Sequence, residues 1–138
     1  MNQSPSVTNK VITWLAATVA VLFGILTIKS GGQVLFGDES YRLAAGNYVP
    51  FVLWFNFTAG FIYMIAGIGI ALRKPWAAGV ALLIAISTLL VFAAFGLYIF
   101  AEGAYEMRTV AAMTLRSTIW TVIFVLTYRQ LIRRWDIQ

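Results

Sequence analysis

Apolar residues in this chain neither alternate nor keep to one helical stripe; they run unbroken for whole segments, divided by short clusters of charge, proline and glycine. Four such runs are present. The first, 11–28, lies between Lys10 and Lys29. The second, 50–72, opens on Pro50 and closes at Arg73, Lys74 and Pro75. Proline suits a first helical turn, because the N–H it lacks would have no partner there. The third, 76–100, contains no charge. The fourth, 110–131, is interrupted by Arg116. A helix needs about 20 apolar residues to cross roughly 30 Å of hydrocarbon, so each run is long enough to span a bilayer. A closed membrane barrel would need about eight or more segments of alternating polarity, and these runs do not alternate. The pattern predicts an all-α, integral membrane four-helix transmembrane bundle forming one domain over 1–138.

The one sizeable connection, 30–49, carries glycines at 31, 32, 37 and 46. Within it 38–45 reads as a short helix, with Asp38 as N-cap, Glu39 in the first turn and Gly46 as stop. It is expected to lie on the surface as a connector.

Composition sharpens this picture. The chain is 61% hydrophobic and 11% charged, too apolar for a single soluble core to hide. Its +5 net charge is unevenly placed. Lys10, Arg73, Lys74, Arg129, Arg133 and Arg134 fall on one side of the predicted bundle, against Lys29, Arg42 and Arg108 on the other. Short loops retain Lys and Arg in the cytoplasm, so both termini are expected there, with the 30–49 connection outside. Short loops and no cleavable leader suit a bacterial inner membrane. Trp14, Trp76 and Trp135 would anchor the cytoplasmic interface, and Tyr41, Tyr48, Trp54 and Tyr98 the other. The basic balance records this asymmetry and gives no reason to expect nucleic acid.

With no cysteine and no histidine, thiol chemistry, thiolate zinc, iron–sulfur clusters and imidazole ligation of haem or metals are excluded. The predicted spans also contain no Asp, Glu or Lys, the groups that usually pass protons or cations through a bundle. The chain reads as no enzyme, with no catalytic residue, metal site or cofactor to name. Glu102 and Glu106, four apart, would share a helix face, but Gly103 weakens that helix; their negative charge suits the start of the fourth span.

Arg116 is the exception that needs a reason. It lies six residues past Val110, roughly 9 Å deep at 1.5 Å per residue, and a charge in hydrocarbon costs about 2.5 kcal/mol or more on insertion scales. Asn56 lies equally far past Pro50. Asn56, Gly60, Tyr63, Gly67 and Ala71 recur at helical steps, as do Ala77, Ala81, Ala85 and Thr88 in the third run; such small-residue stripes face other helices. Trp120 falls one turn from Arg116, where a cation–π contact is reachable. The expected polar cluster comprises Arg116, Asn56, Tyr63 and Trp120, with Tyr98, capped by Glu102 or Glu106. Gly60, Gly67, Ala71, Ala81 and Ala85 are the expected packing residues.

Leu22-Phe23-Gly24 followed by Lys29, then Ala66-Gly67 leading to Arg73, resembles the layout of DoxX-like four-helix membrane proteins. The resemblance covers the first two or three helices and implies a quinone-linked or accessory role at a bacterial membrane. Two functions fit the residues. One is a non-catalytic accessory or assembly subunit of a larger complex, or a homo-oligomer, using the small-residue stripes as contacts. The other is a minimal transporter or binding protein that holds an anionic or quinone-like ligand on Arg116 and Asn56. The scarcity of chemistry-bearing residues favours the first.

Overall fold

The computed structural model describes residues 6–132; Arg133, Arg134 and Trp135, which entered the orientation and anchor arguments, lie outside them. Five α-helices follow one another: α1 (Val7–Phe36), α2 (Glu39–Ala45), α3 (Pro50–Ala71), α4 (Trp76–Phe100) and α5 (Met107–Thr127), the last running into a π-helical turn at Tyr128–Ile132. No strand occurs among the described residues. Four of the helices are long and apolar enough to cross a membrane. They alternate in direction. Gln130 Nε2 donates to Asn9 Oδ1 at 3.1 Å, so the start of α1 and the end of α5 share one end of the bundle, while α2 sits at the other.

α1 is longer than its apolar run. It starts earlier because Ser6 caps it, accepting from the Asn9 N–H at 3.3 Å, and its first turn keeps the polar Thr8, Asn9 and Lys10. It also continues through Lys29, Gly31 and Gly32, which corrects the expected end at Ile28 and shortens the 30–49 connection. The reason is tertiary: a Cβ on Gly31 would lie 3.2 Å from the Phe57 Cβ of α3. Helix packing at that contact outweighs the weak helix propensity of two glycines.

Tight packing of α1 on α3 is the main internal contact of the bundle. Buried Ala17, Ala20, Gly24, Thr27 and Gly31 form a small-residue stripe on α1. Gly60 and Gly67 of α3 face it. A Cβ on Gly24 would meet the Gly60 carbonyl oxygen at 2.8 Å, and one on Gly60 the Gly24 oxygen at 3.2 Å. Gly67 lies as close to Ala17 and Val21. α4 closes the core with buried Ala77, Ala81, Ala85 and Thr88, while Ala71 is half-buried at the end of α3. α5 packs on α4 but meets α1 only sparsely, which leaves a seam between the first and last helices.

Both tight turns use the same device. Arg73 (φ 56°) follows α3 and Glu102 (φ 65°) follows α4, each left-handed although neither is glycine. In the first, Lys74 N–H bonds Gly69 C=O at 2.9 Å; in the second, Gly103 N–H bonds Tyr98 C=O at 3.0 Å. These are Schellman ends that satisfy otherwise orphaned carbonyls. Left-handed backbone costs a non-glycine residue roughly 1 kcal/mol. Glu102→Gly should therefore raise the melting temperature of the purified protein, by an amount equivalent to about 1 kcal/mol. A fall would mean that the Glu102 side chain stabilises this turn.

Candidate functional site

Arg116 lies nine residues into α5, roughly 14 Å from its first residue at 1.5 Å per residue. It is 8% exposed and turned into the bundle. Its Nη1 donates to Thr27 Oγ1 at 3.0 Å and, more weakly, to the Tyr63 hydroxyl at 3.4 Å. The guanidinium carbon lies 5.0 Å from the Phe23 ring centroid. Phe23 stacks on Tyr63 at 5.7 Å, and Tyr63 packs on Trp120 at 4.7 Å. An aromatic column thus runs from α1 through α3 to α5 beneath the charge. Fully buried Tyr63 and Trp120 hold it in place.

Several expected contacts are replaced. Trp120 does not receive the cation; the guanidinium lies over Phe23 instead, and Trp120 packs on Tyr63. Asn56 does not bond Arg116. Tyr98 belongs elsewhere: its hydroxyl donates to Ala104 C=O at 3.0 Å, bracing the α4–α5 turn. Glu102 is exposed in that turn and does not cap Arg116. Glu106 is the N-cap residue of α5, and its Oε1 accepts from the Asn47 N–H at 2.9 Å. With 101–106 forming a turn rather than a helix, the two carboxylates share no face. Arg116 makes no bond to either.

Above Arg116 lies a cavity of about 290 Å³. Thr27, Gly31 and Arg116 line it deep in the bundle, Asn56 and Val52 form the α3 wall, and Glu106 and Arg108 stand at its rim with α5. Ala45 and Tyr48, from the end of α2 and its following loop, also line it, so the connector does more than lie on the surface. It is tied down by two arginines at helix ends, where backbone carbonyls lack helical partners and the dipole favours cations. Arg42 donates to Val34 and Leu35 C=O at the end of α1 (3.2 and 3.3 Å). Arg108 donates to Ala44 C=O at the end of α2 (2.9 Å). Gly46, at φ 68°, lets Glu106 press against the same corner.

Two polar atoms on the cavity side chains stay unpaired. Asn56 Oδ1 and Arg116 Nε are buried without a hydrogen-bond partner among the described residues, and Arg116 Nη2 bonds no protein acceptor there either. Buried polar groups are ordinarily satisfied, so such atoms need an explanation. No family model, no curated protein and no solved structure matches this chain. The DoxX-like resemblance therefore rests on its glycines and charges alone.

Aromatic side chains do not gather at the cavity. Phe36, Trp54, Phe57 and Phe61 meet edge-on in a cluster of their own, and among the described residues Tyr48 is the cavity's one aromatic lining residue. Missed by sequence reasoning were Thr27 and Phe23. Thr27 had a signal: it is the polar member of the stripe Ala20, Gly24, Thr27, Gly31, as Asn56 and Tyr63 are polar members of the one on α3.

Proposed function

We propose that this chain is a multi-pass protein of a bacterial inner membrane, with both ends in the cytoplasm, that binds a small anionic ligand in the cavity beneath α2. The observation that carries it is the pair of partnerless buried atoms, Arg116 Nε and Asn56 Oδ1, on one cavity. A guanidinium carries a permanent charge, and Arg116 has two hydroxyls and a phenyl ring around it but no counter-ion among the described residues. An unpaired buried charge is unfavourable, and an anion offsets it. With Nη1 engaged, Nε and Nη2 are the donors left for a carboxylate or phosphate, and a bidentate grip requires Nε, covered by its neighbours here, to be uncovered as the ligand enters. Asn56 Oδ1 would accept from a hydroxyl or N–H on the same ligand. Among the described residues the cavity has a single aromatic wall residue, Tyr48, too few to sandwich a flat quinone, which favours the anionic reading over the quinone-like one.

The accessory-subunit reading depends on small-residue stripes seeking a partner. Here Gly24, Gly60 and Gly67 meet inside the chain, so that support is weaker. Membrane placement draws on the large apolar side chains left exposed along the long helices, among them Leu22, Ile65, Leu83, Leu90 and Val125. Reporter fusions test orientation: one at Gln138 should read cytoplasmic and one inserted near Asp38 should not. The reverse result would invert the topology.

Binding is tested by titrating the detergent-purified protein with inorganic phosphate and with hexanoate while following its melting temperature. A ligand present at ten times its Kd stabilises by about 1.4 kcal/mol. At least one anion should raise the melting temperature of the wild type and leave Arg116→Gln unmoved. No shift in either protein, or equal shifts in both, would overturn the reading.

A further inference from the structure

Arg116 has a second outlook. Besides the cavity beneath α2, it lines a lateral hollow of about 380 Å³ between α1 and α5, together with Phe23, Leu26, Lys29, Ser30 and Gln33. Thr27, Ser30 and Arg116 belong to both hollows, so the polar site has a side window. Below this window, about one helical turn further along α1 and α5, lies a separate apolar groove of about 320 Å³, walled by Leu15 and Val19 of α1 and by Ile119, Val122 and Leu126 of α5. On α1, Ile12, Ala16, Val19, Phe23, Leu26 and Ser30 follow one another at three- and four-residue steps, so groove and window lie on a single face. From Arg116 to Leu126 is ten residues of helix, roughly 15 Å. That is about half the thickness of a bilayer's hydrocarbon core.

The geometry points to a long-chain anionic amphiphile as the ligand, its head on Arg116 and its single acyl chain laid along the α1–α5 seam. This rests on the anion site proposed above and names the class of molecule that fills it. Charge complementarity selects the occupant from ordinary lipid. Beyond the upper end of the groove, three residues up α5 from Ile119, stands Arg116, more than nine-tenths buried and with its Nε unpaired among the described residues, with Lys29 beside it on the neighbouring hollow. The groove itself is lined almost wholly by carbon. A molecule with one negative end and one apolar tail satisfies both halves; a chainless anion satisfies the first and a neutral lipid the second. Sparse contact between α1 and α5 leaves room for the chain, and the side window lets it enter from within the bilayer.

The test uses the full-length protein in nanodiscs of zwitterionic phosphatidylcholine and palmitate carrying a mid-chain diazirine, with labelled peptides mapped by mass spectrometry. Labelling should concentrate on 12–19 and 118–126. Palmitate should compete at least tenfold better than hexadecanol, which has the chain without the charge. Val122→Trp fills the groove from a position 50% exposed, where folding tolerates it, and should cut seam labelling at least tenfold. The phosphate- or hexanoate-induced melting shift should survive that substitution, since it leaves Arg116 untouched. Labelling spread equally over α4, or equal competition by hexadecanol, overturns the amphiphile while an Arg116-dependent melting shift would keep the small-anion reading. Loss of that shift in the wild type removes the anion site and the amphiphile with it.

Discussion

Replacing Gly24 with leucine should prevent the bundle from folding stably. A Cβ at that position meets the Gly60 carbonyl oxygen at 2.8 Å, and backbone, unlike the end of a flexible side chain, has nowhere to go unless α1 and α3 part. Overpacking commonly costs about 1–3 kcal/mol and more where the backbone must shift. Because α1 against α3 is the most intimate helix pair in the bundle, a loss of at least about 3 kcal/mol is expected, a large share of the roughly 5–15 kcal/mol that keeps a domain folded. Gly67→Leu should be less severe. Its nearest neighbour is a Val21 methyl at 2.7 Å, and the nearest backbone atom, the Ala17 carbonyl oxygen, is 3.1 Å away, against 2.8 Å for the carbonyl at Gly24. Gly79 has nothing within 4 Å, so Gly79→Ala should be neutral or slightly stabilising, since alanine favours helix by about 1 kcal/mol. Thermal unfolding followed by circular dichroism reads all three. Equal losses at Gly24 and Gly79 would mean that the α1–α3 contact does not govern stability.

Arg116→Met should separate stability from binding. The substitution removes a buried charge whose protein contacts are two hydroxyls and the Phe23 ring, and the thioether chain fills much of the same space. Replacing buried charges with well-packed apolar groups is often neutral or stabilising by about 1–4 kcal/mol, so the ligand-free variant should melt no lower than the wild type. Thr27 and Tyr63 keep hydroxyls that can turn to other acceptors. Binding should fall at least a hundredfold, through loss of both remaining guanidinium donors. Arg116→Lys keeps the charge but not the fork and should fall between the two. A marked loss of stability in Arg116→Met with anion binding unchanged would make the residue a structural strut.

Four candidate spans were readable because long charge-free runs closed by Lys, Arg, Pro and Gly admit few other structures. That Arg116 needed compensation was readable too, from the cost of a charge in such a run. Which atoms compensate it was not. Depth along two helices matched Arg116 with Asn56, but rotation about each helix decides contact, and for α3 that rotation is fixed by its Gly24–Gly60 crossing with α1. That crossing presents Thr27 and Tyr63 to the guanidinium and leaves Asn56 on the cavity wall. The extension of α1 through Gly31 and Gly32 was equally hidden, since its cause is Phe57, far away in sequence. At the α4–α5 turn Gly103 signalled a break, but nothing in the sequence showed that Glu102 would take the left-handed position and turn away from Glu106.

Arg116 as an anion anchor is tested most directly by native mass spectrometry of the wild type and Arg116→Met, each released in mild detergent from the membranes in which it was made. The wild type should retain a small anionic adduct that Arg116→Met lacks, at comparable yields of folded protein. Bare chains in both preparations, the same adducts in both, or a co-purifying protein as the one Arg116-independent companion would contradict it.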